Sequence, residues 1–342
     1  MTGIEARMAR EIQEAPEALR RQEQSLAQPV AELASRLKRR PPLVAVTCAR
    51  GSSAHAATFG KHLIERYTGI PVAAAAPVIA SVYRQELCLK DQLFLAISQS
   101  GRSDDLIETT AAAKRAGALT AAILNDTGSP LAAHCDLVLP MCAGPELSVA
   151  ATKTFVATLA ALLRLAAAWT GNSQLQDGIG RLPDRLAAAS DLDWSGAVGA
   201  LAGAQSLVTI GRGPTLAIAR EAALKLKETC NLHAEAFSGA EFLHGPVALV
   251  SSHYPILMFM PTDAGADGMQ RLAADLRGKG AALFTSGAEA GGGVLPALAP
   301  DQPETDAVCL IQSFYCMIVR LADALGMDAG QPRHLHKVTR TV

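Results

Sequence analysis

Apolar and polar positions alternate in blocks along this chain. Short apolar runs at residues 43–47, 93–97, 119–124 and 136–140 read as buried strands, each bounded by glycine, serine or other polar residues. Amphipathic stretches between them predict helices to about Tyr67, where Gly69 and Pro71 stop the first, to about Ala116, and over 151–169. Upstream, residues 4–38 read as charged amphipathic helix with an early boundary at Pro16. The pattern then restarts. A strand at 207–210 runs into Gly211-Arg212-Gly213-Pro214, followed by a helix over 216–230, strands at 254–260 and 281–284, and a closing helix over 308–325.

Strands alternating with helices imply a parallel sheet covered on both faces, and the recurrence of the order implies a duplicated α/β unit of roughly 130–150 residues. The expected organisation is a helical segment at 1–38, a first domain at 39–175 and a connection at 176–196. A second domain at 197–328 and a tail at 329–342 complete it.

Composition sharpens this picture. Apolar residues make up 49% and charged residues 18% of the 342, so the chain has enough apolar mass for sizeable cores. Aromatics are only 4%, and alanine-rich helices on aliphatic strands suit that mixture better than a sandwich. Thirty-one basic against 32 acidic side chains leave a net charge of −1, without the excess that a general nucleic-acid binder needs. No run reaches the ~18 uninterrupted apolar residues of a membrane span, and no signal peptide is visible. Seven cysteines without a Cys-x-x-Cys pair fit a reducing compartment, so a cytoplasmic protein is expected, with no membrane or nucleic-acid partner.

Ligands of open parallel sheets bind beyond the carboxyl ends of the strands. Two loops are placed there, Arg50-Gly51-Ser52-Ser53 and Ser98-Gln99-Ser100-Gly101-Arg102-Ser103. Hydroxyls, backbone N–H groups and a helix N-terminus are the parts of an anion cradle. The plainer alternative is a serine-capped helix start with Asp104 and Asp105 complementing the dipole. No Walker-type lysine motif is present and Leu216 stands where a third dinucleotide-motif glycine belongs, so a phosphate monoester suits the cradle better than a nucleotide. Further on, Glu221, Lys225 and Glu228 share one helix face. They form either a solvated salt-bridge stripe or a carboxylate base with a neighbouring ammonium. His244 precedes Gly-Pro in a loop; His-Glu-x-x-His is absent, and His334 and His336 in the tail form either a weak metal site or, as preferred here, a loop whose chemical member is Lys337, so no metal is expected.

Taken together, Ser98-Gln-Ser-Gly-Arg-Ser103, Ala-Ala-Thr-Lys153, Ala223-Leu-Lys-Leu-Lys-Glu228, His233-Ala-Glu-Ala, Glu241-Phe-Leu-His-Gly-Pro246 and Gln331-Pro-Arg resemble the sugar isomerase (SIS) family over nearly the whole chain. The chain is similar to the isomerase half of glucosamine-fructose-6-phosphate aminotransferases, and more closely to the second type of glucosamine-6-phosphate deaminase. The resemblance implies two tandem SIS domains, each a flavodoxin-like αβα unit, assembled as a homodimer without cofactor. It implies that Ser52, Ser53, Ser98, Gln99, Ser100 and Ser103 hold a sugar phosphate. Val149 and Ala151 would line the sugar, with Ala151 in place of a serine.

By the same resemblance Glu228 moves a proton between C1 and C2 beside Lys225. His244 opens the sugar ring from the neighbouring subunit, and Lys337 forms an imine. The glutamine-hydrolysing domain of the aminotransferases is not seen before residue 39. The expected reaction is therefore glucosamine 6-phosphate plus water giving fructose 6-phosphate and ammonia. The alternatives are another amino- or ketosugar phosphate, such as galactosamine 6-phosphate or a fructosamine 6-phosphate, and a non-catalytic sugar-phosphate sensor.

Overall fold

The computed structural model describes residues 5–287 and 292–337. Two helices lead, α1 (Glu5–Gln13) and α2 (Ala15–Arg39). Then come β1 (Ala45–Ala49), α3 (Gly51–Thr68), β2 (Val72–Ala74), α4 (Pro77–Ser81), β3 (Leu93–Ser98), α5 (Asp104–Arg115), β4 (Leu119–Leu124) and β5 (Leu137–Pro140). The long helices α6 (Lys153–Thr170) and α7 (Ser173–Ser190) and the short α8 (Val198–Ala202) follow. The second series is β6 (Ser206–Gly211), α9 (Thr215–Cys230), β7 (His233–Ser238), α10 (Gly239–Phe242), β8 (Pro255–Phe259), α11 (Ala266–Gly278), β9 (Ala282–Ser286), β10 (Val294–Leu295) and α12 (Pro303–Ala324).

The strands form two five-stranded sheets, ordered β2-β1-β3-β4-β5 and β10-β9-β8-β6-β7, with every pairing parallel. Read from its other edge the second order is β7-β6-β8-β9-β10, so both sheets run second, first, third, fourth, fifth. That is the flavodoxin-like arrangement. The expected α/β class with two parallel sheets is therefore what the chain adopts.

Two compact units contain these sheets. One gathers Glu17–Glu146, Lys153–Ile179 and residues 336–337; the other gathers residues 5–16, Leu147–Thr152 and Gly180–Leu335. In the first, β3 is buried along its whole length, with Phe94 and Ala96 meeting Leu106, Ala113 and Leu131. In the second, β8 is equally buried, and Ile256 and Met258 pack against Met269, Leu272 and Leu276 of α11. Strands buried on both faces read as continuous apolar runs, and for that reason the central strands were legible. The helices α6 and α12 are long and apolar enough to cross a membrane, but 83% and 72% of their apolar windows are buried in the fold, as core helices are.

Several boundaries moved. β1 begins at Ala45 rather than residue 43, because the side-chain oxygen of Gln92 accepts from the backbone N–H groups of Leu43 and Val44. Those two residues spend their donors on an amide side chain instead of a ladder. Helix α12 begins at Pro303, five residues before the expected 308. Glu304 and Asp306 look like loop residues in sequence, but acids after a first-turn proline suit a helix N-terminus. β7 was not expected, and α11, implied between β8 and β9 by the repeated order, was given no bounds. β7 is a short His-Ala-Glu-Ala-Phe-Ser edge strand, and α11 opens in a Gly-Ala-Asp-Gly stretch that reads as a turn.

Candidate active site

The cradle residues lie at the carboxyl ends of β1 and β3, which are paired side by side with Ala49 opposite Ile97. Because β2 and β4 flank them on opposite sides, this is the switch point of the sheet, where parallel α/β folds bind ligands. Ser52 and Ser53 occupy the first turn of α3, where backbone N–H groups have no helical acceptor. After β3, the Ser98 hydroxyl accepts from Gly101 N–H at 3.0 Å and the Ser100 hydroxyl from Arg102 N–H at 3.4 Å, folding the loop back on itself. Gly101 makes that fold possible. Its φ is +62°, and a Cβ there would sit 2.0 Å from the Ser129 hydroxyl oxygen.

Ser103 holds the N-cap position of α5, yet its side chain makes no capping hydrogen bond. Serine at the helix start and two acids in the first turn are as the plainer alternative has them; the capping hydrogen bond alone is missing. The acid behind it is also accounted for. Arg50, directly after β1, donates from Nε and Nη2 to Oδ2 of Asp105 at 3.0 and 2.7 Å, while Oδ1 accepts from Leu106 N–H. This pair ties the two loops together and neutralises the buried carboxylate nearest the cradle. Half of the Arg50 side chain stays exposed. Neither partner was singled out in sequence, where Asp105 looked like a simple dipole complement.

In the other unit, Glu221, Lys225 and Glu228 do share a face of α9, but the face is not solvated. Lys225 and Glu221 are fully buried, whereas Glu228 keeps 20% of its side chain exposed. The Lys225 ammonium lies 3.2 Å from Glu221 Oε1 and in hydrogen-bonding contact with Glu228 Oε2. The Tyr315 hydroxyl of α12 donates to Glu221 at 3.2 Å. Burial pulls the lysine pKa down, but the two carboxylates outweigh it and raise it above the ordinary value, so the ammonium stays charged. Of the three side chains, the outer carboxylate alone reaches a surface.

That surface is a cleft of 360 Å³, lined from α9 by Lys227, Glu228, Thr229 and Asn231, and from the C-terminal segment by residues 326–328 and 331–335. Asn231 caps α9 in the left-handed conformation, φ 53°, turning the chain away at the cleft wall. His244 is exposed in the turn after α10 and is not among the residues lining this cleft. Val149 N–H reaches Gly330 O at 3.4 Å, and both Val149 and Ala151 are half-buried.

Lys337 belongs to the first-sheet unit, where its ammonium meets Glu146 Oε2 at 3.2 Å. Glu146 is wholly buried and also accepts from the backbone N–H and hydroxyl of Thr154 at the start of α6. Sequence reasoning missed Glu146, Glu221 as a buried group, and Tyr315. The only signal for Glu146 was an acid between Gly-Pro and an apolar tract. Burial pushes the thiols of Cys48, Cys135 and Cys309 up to about 12 and that of Cys230 to about 11, so none of these four is a ready nucleophile. Among the described residues no three metal-ligating side chains cluster.

The sequence matches the SIS domain family over residues 45–168 and 200–285. A glutamine–fructose-6-phosphate aminotransferase (isomerizing) from Mycobacterium bovis is 35% identical over 311 residues, which are 84% of this chain and 49% of that protein. The chain thus spans about half the length of such relatives. The crystal structure of a protein from Silicibacter pomeroyi DSS-3, described as a candidate phosphosugar isomerase, superposes with a TM-score of 0.90 at 44% identity. That match covers 94% of this chain and 99% of that one. Glucosamine-6-phosphate deaminase from Thermotoga maritima shares the fold, with a TM-score of 0.73, 20% identity, and 96% and 100% of the two chains covered.

Proposed function

The chain belongs to the two-SIS-domain phosphosugar isomerase family, and on that premise we propose that it deaminates glucosamine 6-phosphate to fructose 6-phosphate and ammonia. The observation that carries the reading is Glu228, a carboxylate at a cleft wall backed by a fully buried ammonium that it shares with a second carboxylate. Aldose–ketose chemistry needs one base that takes the C2 proton and returns it to C1. Lys225 is too buried to touch substrate, so it acts by holding and orienting Glu228.

The serine loops of the first-sheet unit suit the phosphate. The first turn of α3, Ser103 without a capping hydrogen bond and the half-exposed Arg50 offer an anion partners of the right sign. His244, exposed and not among the residues lining the Glu228 cleft, would open the ring in a neighbouring copy of the chain. Lys337, held by buried Glu146, is the amine proposed to take part in imine chemistry at C2. After proton transfer, the nitrogen-bearing C2 is an imine that water hydrolyses. Proton transfer and imine hydrolysis call for no metal or organic cofactor.

The likeness to the Silicibacter pomeroyi protein favours plain aldose–ketose isomerisation as the second reading. A panel of glucosamine 6-phosphate, galactosamine 6-phosphate, a fructosamine 6-phosphate and the corresponding aldose phosphates, followed for ammonia and for ketose, separates the two. For the true substrate, Glu228→Gln is expected to lower kcat by on the order of 10²–10⁴-fold with KM little changed. Undiminished turnover by that variant would remove Glu228 from the mechanism.

A further inference from the structure

The C-terminal segment brings one more titratable group to the Glu228 cleft. Residues 332–335 form a turn closed by Leu335 N–H to Pro332 O at 3.5 Å, and His334 sits at its third position with φ +61°. That position favours glycine or asparagine, and a non-glycine residue held in the left-handed region costs about 1–2 kcal/mol. His334 is exposed and lines the cleft together with Glu228. Among the described residues its imidazole carries no structural hydrogen bond or ion pair that would explain a side chain of this kind on an unfavourable backbone. A strained residue at a functional cleft is a reason to look for a chemical role.

We propose that His334 is the proton shuttle for release of ammonia, an inference that rests on the deaminase reading above. Isomerisation leaves an imine at C2, and water adds to it to give a carbinolamine bearing OH and NH2. Protonated His334 donates to the nitrogen, making it ammonium-like. The C2–N bond then breaks, its electron pair leaving with ammonia, while the hydroxyl proton passes to the imidazole as C2=O forms. The histidine ends protonated as it began, and no other reactant is consumed. Glu228 keeps the separate task of moving hydrogen between C2 and C1. The charged groups that line the same cleft are Lys227 and Glu228 from α9 and Asp328 and Arg333 from its own segment.

The test uses the full chain and the variant His334→Asn, which keeps a residue at home in the left-handed conformation. Two readouts are taken on glucosamine 6-phosphate across pH 5.5–8.5: ammonia release, and deuterium uptake from D2O at C2 of recovered substrate. Histidine is the side chain whose charge ordinarily changes in that range. The expected result is a loss of on the order of 10²-fold in ammonia release, disappearance of a limb of the pH profile, and C2 exchange at or above the wild-type rate. Ammonia release within twofold of wild type, with the same pH profile, would overturn the proposal. Equal loss of exchange and release would also overturn it, since His334 would then serve the fold of the cleft. If wild-type protein exchanges C2 hydrogen but releases no ammonia, the deaminase reading fails first and this inference with it.

Discussion

Replacing Lys225 by methionine tests the buried cluster on which the catalytic reading depends. The side chain is fully buried between Glu221 and Glu228, and its ammonium is the cation that compensates the wholly buried Glu221. Methionine keeps the length and the apolar stem but removes the charge. Glu221 would keep the Tyr315 hydroxyl, at 3.2 Å, among its partners. Leaving one member of a buried ion pair uncompensated costs about 3–5 kcal/mol. Because the folded pKa of Lys225 lies above its unfolded value, the stabilisation is fully present below the unfolded value near 10.5, and neutral pH lies well inside that window. Urea denaturation of the wild type, Lys225→Met, Glu221→Gln and the double variant supplies the cycle. The double variant is expected to recover part of the loss, since a neutral amide no longer needs the cation. The penalty of Lys225→Met should shrink as pH falls, because the stranded Glu221 carboxylate can take up a proton. A loss below about 1 kcal/mol at pH 7, the range of a surface pair, would refute the assignment of Lys225 as the compensating charge.

Other outcomes follow from the same geometry. Gly101→Ala should destabilise the cradle by at least the about 1–2 kcal/mol of left-handed backbone strain, since its Cβ meets the Ser129 side chain as well. A KM for sugar phosphate unchanged from wild type would show that this loop does not hold the phosphate. Asp136 has its pKa lowered: burial acts to raise it, but hydrogen bonds from Thr120 and the Lys114 ammonium prevail. Its contribution should therefore be constant at neutral pH and fade as pH falls below about 3.8 through the depressed value. Comparing acid unfolding of wild type and Asp136→Asn reads this, and a stability difference independent of pH would contradict it. If His244 serves a neighbouring copy, then Glu228→Gln and His244→Ala, each inactive alone, should regain about a quarter of wild-type activity when mixed subunits reassociate at random into two-fold dimers. No recovery in verified mixed dimers would place His244 elsewhere.

What the amino-acid sequence determined by itself was the periodic part of this protein. Buried parallel strands such as β3 and β4 are uninterrupted apolar runs, helices follow glycine and serine turns, and the repeat of the series announced two similar sheets. Motif residues such as Ser98–Ser103 and Glu228 were legible because local chemistry, hydroxyls near a helix start and a carboxylate beside a lysine, is written in neighbouring positions. Tertiary structure decided the rest, since burial and pairing across many residues have no local signature. A stripe of charge on α9 proved to be buried because α12 lies over it and Tyr315 meets Glu221. Arg50 reaches Asp105 across two loops, and Glu146 finds Lys337 nearly two hundred positions along the chain. Edge strand β7 escaped notice, and helix α11 was given no bounds, because small and polar residues there are stabilised by neighbours rather than by their own pattern. The backbone angle of His334 belongs to the same class, a conformation imposed by a turn that only the folded chain reveals.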